Sequence, residues 1–100
     1  MADRDVRGLP LADRPREKLM RQGARSLSDA ELVAVLMGTG AAGAGVLTVG
    51  REVARLLHRR GVQIQADQLR QVPGVGMAKA CVLLAAVELA SRLLKAVPMI

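Results

Sequence analysis

The segment with the most chemical information is residues 69–80, which read Leu-Arg-Gln-Val-Pro-Gly-Val-Gly-Met-Ala-Lys-Ala. Gly74 and Gly76 permit a sharp turn and a close approach of the backbone to another molecule, because neither carries a Cβ. The helical pattern that follows opens with backbone amides that lack partners inside the helix and carry partial positive charge. Such a surface favours a phosphate group, and Lys79 adds a full positive charge one turn into the helix.

Each part of this turn has a predicted role in a phosphate-binding hairpin. Pro73 stiffens the entry to the turn, and Val75 points inward and holds the hairpin between its two helices. The predicted phosphate-binding residues are Gly74, Val75, Gly76, Met77, Ala78, Lys79 and, as a flanking contact, Arg70. The alternative is that the two glycines only permit a tight connection between helices.

The composition indicates which partner such a hairpin would have. The net charge is +6, with twelve arginines among fifteen basic residues, which favours nucleic acid or an acidic protein surface, although a merely solvated basic surface has the same composition. The chain has no aromatic residue, which excludes the stacking platforms that bind single strands and RNA. Contacts would therefore go to sugar and phosphate, which position a protein without specifying a sequence.

Length and hydropathy limit the class of protein. One hundred residues fit one small domain. The longest apolar run, 80–87, is too short to span a bilayer, and the N-terminus has no apolar secretory segment. One cysteine rules out an internal disulfide and fits a reducing compartment, so we expect a cytoplasmic protein with no membrane partner.

The elements that position the hairpin are all helical. No segment alternates with a period of two, so the sequence predicts an all-α fold of about five helices. A proline near the start of the first helix, a capping box at Ser28 and Glu31, and glycines at the helix ends support the boundaries. The predicted helices are Arg14–Gln22, Ser28–Met37, Val46–Arg60, a short helix from Asp67, and Met77–Lys95. Residues 1–12 would form a flexible arm, 13–96 the domain, and 97–100 the start of a linker to a further domain.

Helical periodicity also predicts the buried residues. The second helix, ending at Met37, is apolar nearly all round and is expected to be central. In the helix Val46–Arg60 the predicted buried stripe is Leu47, Val53, Ala54, Leu56 and Leu57. In the last helix the positions at core spacing are Ala80, Leu83, Leu84, Val87, Ala90, Ser91 and Leu94.

A weak internal repeat relates the two halves of the chain. An offset of 36 residues aligns Val33 with Leu69 and the triplet 38–40 with 74–76. Two helix–hairpin–helix units could bury apolar faces that one unit alone leaves exposed, although coincidence would also explain the match. The possible second hairpin consists of Gly38, Thr39 and Gly40. The loop 41–45 after it has no basic residue, so we expect it to be degenerate and structural.

The residues do not predict an enzyme. His58 precedes Arg59 and Arg60 at a helix end, where it would be solvated or would interact with the helix dipole. Cys81 lies in an apolar helix and is expected to be a small core residue. A hydrolytic zinc site needs three protein ligands, and this sequence does not supply them. We therefore expect no catalytic residue, no metal and no cofactor.

Several motifs in a fixed order resemble the N-terminal region of bacterial RadC-type proteins. They are Arg14-Pro15-Arg16-Glu17-Lys18-Leu19, Leu27-Ser28-Asp29-Ala30-Glu31-Leu32, Gly38-Thr39-Gly40, Val72-Pro73-Gly74-Val75-Gly76, Lys79-Ala80 and Glu88-Leu89-Ala90. The resemblance implies a helix–hairpin–helix region that precedes a metalloprotease-like domain of the JAB/MPN kind, whose metal ligands would lie beyond residue 100. It also implies a role in DNA repair or recombination.

A second function remains open at this point. The domain could be a protein–protein interaction or dimerisation module that docks the metalloprotease-like domain, another partner or a second copy of itself. Leu89 and Leu93 lie on a different side of the last helix from its core stripe, and they would be the contacts.

Overall fold

The computed structural model describes residues 14–38 and 45–96. Five α-helices lie in these ranges: α1 (Pro15–Gln22), α2 (Asp29–Met37), α3 (Val46–Arg60), α4 (Ala66–Arg70) and α5 (Met77–Ala96). Short 3₁₀ turns at Ala24–Ser26 and Gly61–Gln63 follow α1 and α3. Since neither range contains a strand, the predicted all-α class is confirmed. The predicted arm 1–12, Thr39, Gly40 and the predicted linker 97–100 lie outside the described residues.

The predicted capping box opens α2 and also ties α2 to α1. The Ser28 hydroxyl accepts from the Glu31 amide at 3.2 Å, and the Glu31 carboxylate accepts from the Ser28 amide at 2.9 Å. The same carboxylate accepts from Lys18 of α1 at 3.2 Å. Partial burial raises the pKa of Glu31, but hydrogen bonds from Ser28 and Lys18 outweigh it, so this pKa lies below its ordinary value.

The most extensive contact between described helices is that of α2 with α3, and a glycine allows their backbones to approach closely. Gly50 of α3 is buried, and a Cβ placed on it would lie 2.5 Å from the backbone oxygen of Ala30 in α2. No other residue fits without separating the helices. This approach brings Val49 and Val53 of α3 into the core, where they are 2% and 0% exposed.

The core continues from α3 into α4 and α5, so it joins both halves of the chain. Leu69 of α4 and Leu83 of α5 are 0% and 1% exposed. The complete buried cluster consists of Val33, Ala34, Met37, Val46, Val49, Val53, Ala54, Ile64, Leu69, Val75, Ala80 and Leu83.

The predicted stripe of α3 is correct only in part. Val53 and Ala54 are buried, whereas Leu47, Leu56 and Leu57 are partly buried residues packed against the core. The buried face is instead turned toward Val46, Val49 and Gly50. The buried face differs from the predicted one because α2 contacts α3 at Gly50 and therefore covers the side of α3 that carries Val46 and Val49.

The predicted burial of α5 is right for its first half and wrong for its second. Ala80 and Leu83 are buried and Leu84 and Val87 pack against the core, but Leu94 is 75% exposed and Ala90 is also exposed. With 20 residues, α5 is about 30 Å long, while α2 and α4 are about 14 Å and 8 Å long. Its C-terminal half therefore extends past the helices that cover its first half.

One further expectation about burial is wrong. Cys81 is exposed rather than part of the core, because it lies about 100° around the helix from Ala80. The expectation that α2 is central is supported by its contacts with α1, α3 and α5, while Leu36 remains 43% exposed. In the described ranges, no helix has both the length and the apolar character that a membrane crossing requires.

Replacing Gly50 with alanine is expected to destabilise the domain. The added methyl group would push against the backbone of Ala30, and overpacking of this kind costs about 1–3 kcal/mol, more than the roughly 1 kcal/mol that alanine gains over glycine inside a helix. Gly76→Ala is the matched control, because a Cβ there meets no atom within 4 Å. Urea unfolding followed by far-UV circular dichroism measures the stability of both variants. If Gly50→Ala is as stable as wild type, the close approach of α2 and α3 at Gly50 is refuted.

Replacing Glu31 with glutamine is expected to change how stability depends on pH. The folded-state pKa of Glu31 is lowered, so its carboxylate stabilises the fold above the ordinary pKa and loses this effect as the pH falls through the folded value. Glutamine keeps the capping geometry but loses the ion pair with Lys18, a loss of a few tenths to about 1 kcal/mol at pH 7. The difference in stability between wild type and variant should therefore shrink as the pH falls from 7 through the folded-state pKa of Glu31, and a difference that stays constant into the acid range would contradict the ion pair with Lys18.

Candidate nucleic-acid interface

The hairpin between α4 and α5 is closed by a short series of backbone hydrogen bonds. The Val72 amide donates to the Leu69 carbonyl at 3.1 Å, and the Val75 amide donates to the Val72 carbonyl at 3.0 Å. Between Val72 and Val75, Gly74 has a φ of 94°, which favours glycine. Proline followed by such a glycine is the residue pattern of a type II turn, so the sequence Pro73-Gly74 specifies this reversal.

Val75 anchors the hairpin from the inside. It is 4% exposed and belongs to the buried cluster that also contains Leu69 and Ala80. This is the inward position that the sequence predicts for it. Its side chain is therefore unable to touch a ligand, and only its backbone remains available.

The start of α5 presents backbone amides that the fold does not use. The first helical bond runs from the Ala80 amide to the Gly76 carbonyl at 2.9 Å. In the described part of the chain, the amides of Met77, Ala78 and Lys79 have no acceptor. Gly76, which precedes the helix, has no side chain that could cap them. These donors are the unsatisfied first-turn groups of a helix.

The surface around these amides is open. Gly74, Gly76 and Ala78 are exposed, and Met77 is 64% exposed. A Cβ on Gly76 would meet nothing within 4 Å, so the fold itself does not require a glycine at this position. A molecule approaching over Gly76 would therefore find space beside the start of α5.

Two cations flank the hairpin. Arg70 at the end of α4 is exposed and Lys79 in the first turn of α5 is half-buried. Neither has an ion pair or a side-chain hydrogen bond among the described residues. Their charges are available to an external anion, in contrast to Lys18, which is bound to Glu31.

The possible second hairpin resembles the first where the structure describes it. Gly38 ends α2 with a φ of 78°, the same left-handed region that Gly74 adopts. Val33 and Leu69, which the repeat aligns, are both buried. The remaining residues of this hairpin, Thr39 and Gly40, lie outside the described ranges, so a ligand-binding role for Gly38, Thr39 and Gly40 stays a prediction.

The structure adds a contact that the sequence did not indicate. His58 Nε2 lies 2.6 Å from Asp29 Oδ2, which joins the end of α3 to the start of α2, and both side chains are exposed. His58 is thus not simply solvated. No local sequence signal connects residues 29 positions apart. Within 14–38 and 45–96, no three His, Cys, Asp or Glu residues are arranged to hold a metal ion.

The sequence analysis also did not predict a polar cavity near the hairpin. It has a volume of about 360 Å³ and lies where the end of α3 meets the start of α4. Its lining consists of Arg59, Arg60, Gln63, Gln65, Asp67 and Gln68. In the sequence, the only indication of this cavity is a pair of adjacent arginines at a helix end followed by a glutamine-rich connector. We refer to the cavity lined by these six residues as the basic cavity.

Comparison with known proteins places these features in a family. Residues 6–81 match the model of the UPF0758 N-terminal family. A UPF0758 protein of Cyanothece sp. is 45% identical over 103 residues, covering 93% of this chain and 42% of the relative. One of Thermosynechococcus vestitus is 45% identical over 106 residues with the same coverage. One of Thiobacillus denitrificans is 44% identical over 91 residues, covering 89% of this chain and 41% of the relative.

No solved structure matches the chain. The chain spans about 42% of the length of the first two relatives. The family match extends from before α1 into the second turn of α5 and therefore includes the whole hairpin. The chain belongs to the UPF0758 family and is its N-terminal region, as the RadC-like motifs predicted.

Proposed function

We propose that this domain binds the DNA backbone without sequence preference, through the hairpin of residues 73–79. The observation that carries the proposal is the row of unused amides at Met77, Ala78 and Lys79 on an open surface. A helix N-terminus with free amides and a nearby cation matches the charge and the oxygen acceptors of a phosphate. The resemblance to RadC-type proteins supports DNA as the source of that phosphate, and with it a cytoplasmic role in repair or recombination.

The composition supports backbone contact rather than base recognition. Without aromatic residues the domain has no side chain on which a base could stack. Amides, Lys79 and Arg70 would contact phosphate oxygens, which repeat along DNA whatever its sequence. Such a module would hold DNA while other parts of a longer protein act on it, and its own role requires neither a metal nor a cofactor.

A second candidate function, self-association, is favoured by the exposed half of α5. Leu89 and Leu93 are 59% and 60% exposed, and Val82 is 43% exposed on the same side of the helix. The apolar series 82, 86, 89, 93, 96 has the alternating four- and three-residue spacing of a two-helix seam. This spacing favours a second copy of α5 as the occupant of this face. DNA binding and self-association use different ends of α5 and are compatible.

Combining Gly76→Val with Lys79→Glu should abolish DNA binding without unfolding the domain. The valine would cover the amides from the solvent side, where the fold leaves space, and the glutamate would repel phosphate. Fluorescence anisotropy with a labelled short duplex measures binding, and circular dichroism checks the fold. Lys95→Glu, which makes the same charge change at the far end of α5, should bind nearly as well as wild type. If the double variant retains wild-type affinity, the hairpin is not the site.

Binding should weaken steeply as salt increases. If the hairpin neutralises two to four phosphates, log K falls against log salt with a slope of about −2 to −4, a loss of about 10- to 100-fold between 50 and 200 mM salt. Duplexes of different sequence and equal length should bind with equal affinity. A salt-independent affinity or a strong sequence preference would contradict backbone binding.

Leu93→Glu should abolish self-association, because it would place a charge in the apolar seam of α5. The neighbouring Leu94→Glu is the matched control, since Leu94 is 75% exposed but lies about 100° around the helix from Leu93. Sedimentation equilibrium at submillimolar concentration should show wild type and Leu94→Glu associating and Leu93→Glu monomeric. A monomeric wild type at these concentrations would eliminate this second function.

A further inference from the structure

We propose that the basic cavity is a second binding site for a sugar-phosphate group of the same nucleic acid strand or duplex that the hairpin binds. This inference rests on the proposed DNA-binding function and extends it to a separate set of residues. The basic cavity lies at the opposite end of α4 from the hairpin. A single bound backbone would then contact the domain at both ends of this helix.

The lining of the basic cavity determines the class of ligand. All six side chains that line it are polar, two of them guanidinium groups and three of them carboxamides. An arginine guanidinium binds phosphate oxygens through two parallel hydrogen bonds, and glutamine NH₂ groups donate to phosphate and sugar oxygens. None of the six lining residues is aromatic, so the basic cavity offers no ring on which a base could stack. The chemistry therefore fits sugar and phosphate and leaves the base outside.

The two arginines of the basic cavity are available to such a ligand. Arg59 and Arg60 form no ion pair and no side-chain hydrogen bond with any described residue. Other arginines on the same helix and on α5 are already paired: Arg55 lies 3.7 Å from Glu52, and Arg92 lies 2.8 Å from Glu88. Two adjacent unpaired guanidinium groups at a cavity mouth produce a local excess of positive charge.

The separation of the two sites fits a nucleic acid backbone. The five residues of α4 span about 8 Å, with the basic cavity at the Gln65 end and the hairpin beyond Arg70. From this helix length and the reach of the side chains, we place the two sites on the order of 10–15 Å apart. This separation exceeds the axial rise of about 3.4 Å per nucleotide of one strand, so the two sites would bind different phosphates of the same backbone.

Asp67 allows a test of whether the ligand of the basic cavity is negatively charged. Its carboxylate lines the basic cavity and would repel a bound phosphate. Replacing it with asparagine keeps the shape of the side chain and removes the repulsion. If the basic cavity binds phosphate, Asp67→Asn should therefore bind DNA more tightly than wild type, by about 2- to 5-fold.

The experiment compares charge-matched variants of the complete chain with one labelled duplex over a range of salt concentrations. Arg59→Gln with Arg60→Gln should lower affinity about 5- to 30-fold and make the salt slope shallower by about 1 to 2. Arg21→Gln with Arg25→Gln removes the same charge from exposed arginines outside the basic cavity and should leave the slope within about 0.5 of wild type. Glu17→Gln is the corresponding control for Asp67→Asn and should raise affinity less.

The outcomes separate this proposal from the one on which it rests. If the Arg59 and Arg60 variant binds like its arginine control while the hairpin variant fails to bind, the hairpin alone is the site and the basic cavity is refuted. If Asp67→Asn binds no more tightly than Glu17→Gln, the basic cavity is likewise refuted. If wild type itself does not bind the duplex at low salt, both proposals are wrong. Circular dichroism of each variant confirms that the helices are retained.

Discussion

The geometry of the hairpin depends on the burial of Leu69 and Val75 between α4 and α5. These side chains are 0% and 4% exposed, and they lie on either side of the turn at Pro73 and Gly74. Burial of two aliphatic side chains of this size contributes on the order of 3–6 kcal/mol, most of which would be lost if the turn opened. The amides at the start of α5 are therefore held in place before any ligand arrives, so binding does not have to order them.

Glycine serves two different physical purposes in this domain. At Gly50 the absence of a Cβ is used inside the protein, where the backbone of Ala30 occupies the space. At Gly76 the space is empty, and φ lies outside the left-handed region. The described fold therefore has room for a side chain at Gly76, and the absence of one leaves the first amides of α5 uncovered for the proposed phosphate.

Features encoded over a few residues could be predicted, whereas those that depend on contacts between distant segments could not. Ser28 and Glu31 specify the start of α2, and Pro73 with Gly74 specifies the turn, because each pattern acts within four residues. Leu94 was misplaced because periodicity shows which side of a helix is apolar but not how far the neighbouring helices extend along it. The basic cavity was missed because its lining comes from three consecutive elements whose relative positions only the fold determines. The turn of the candidate site could thus be predicted from the sequence, whereas the basic cavity beside it could not.

Four cations near α4 have no ion pair, as do several exposed cations elsewhere in the described ranges, and these four are the ones that the proposed ligand would contact. Lys18, Arg55 and Arg92 are each neutralised locally by a glutamate. Arg59 and Arg60 precede α4, and Arg70 and Lys79 follow or end it, and none of these four has such a partner among the described residues. Unpaired like charges on a small domain repel one another and lower its stability. A polyanion bound along α4 would neutralise all four at once, which converts a local cost in the free domain into affinity for the backbone.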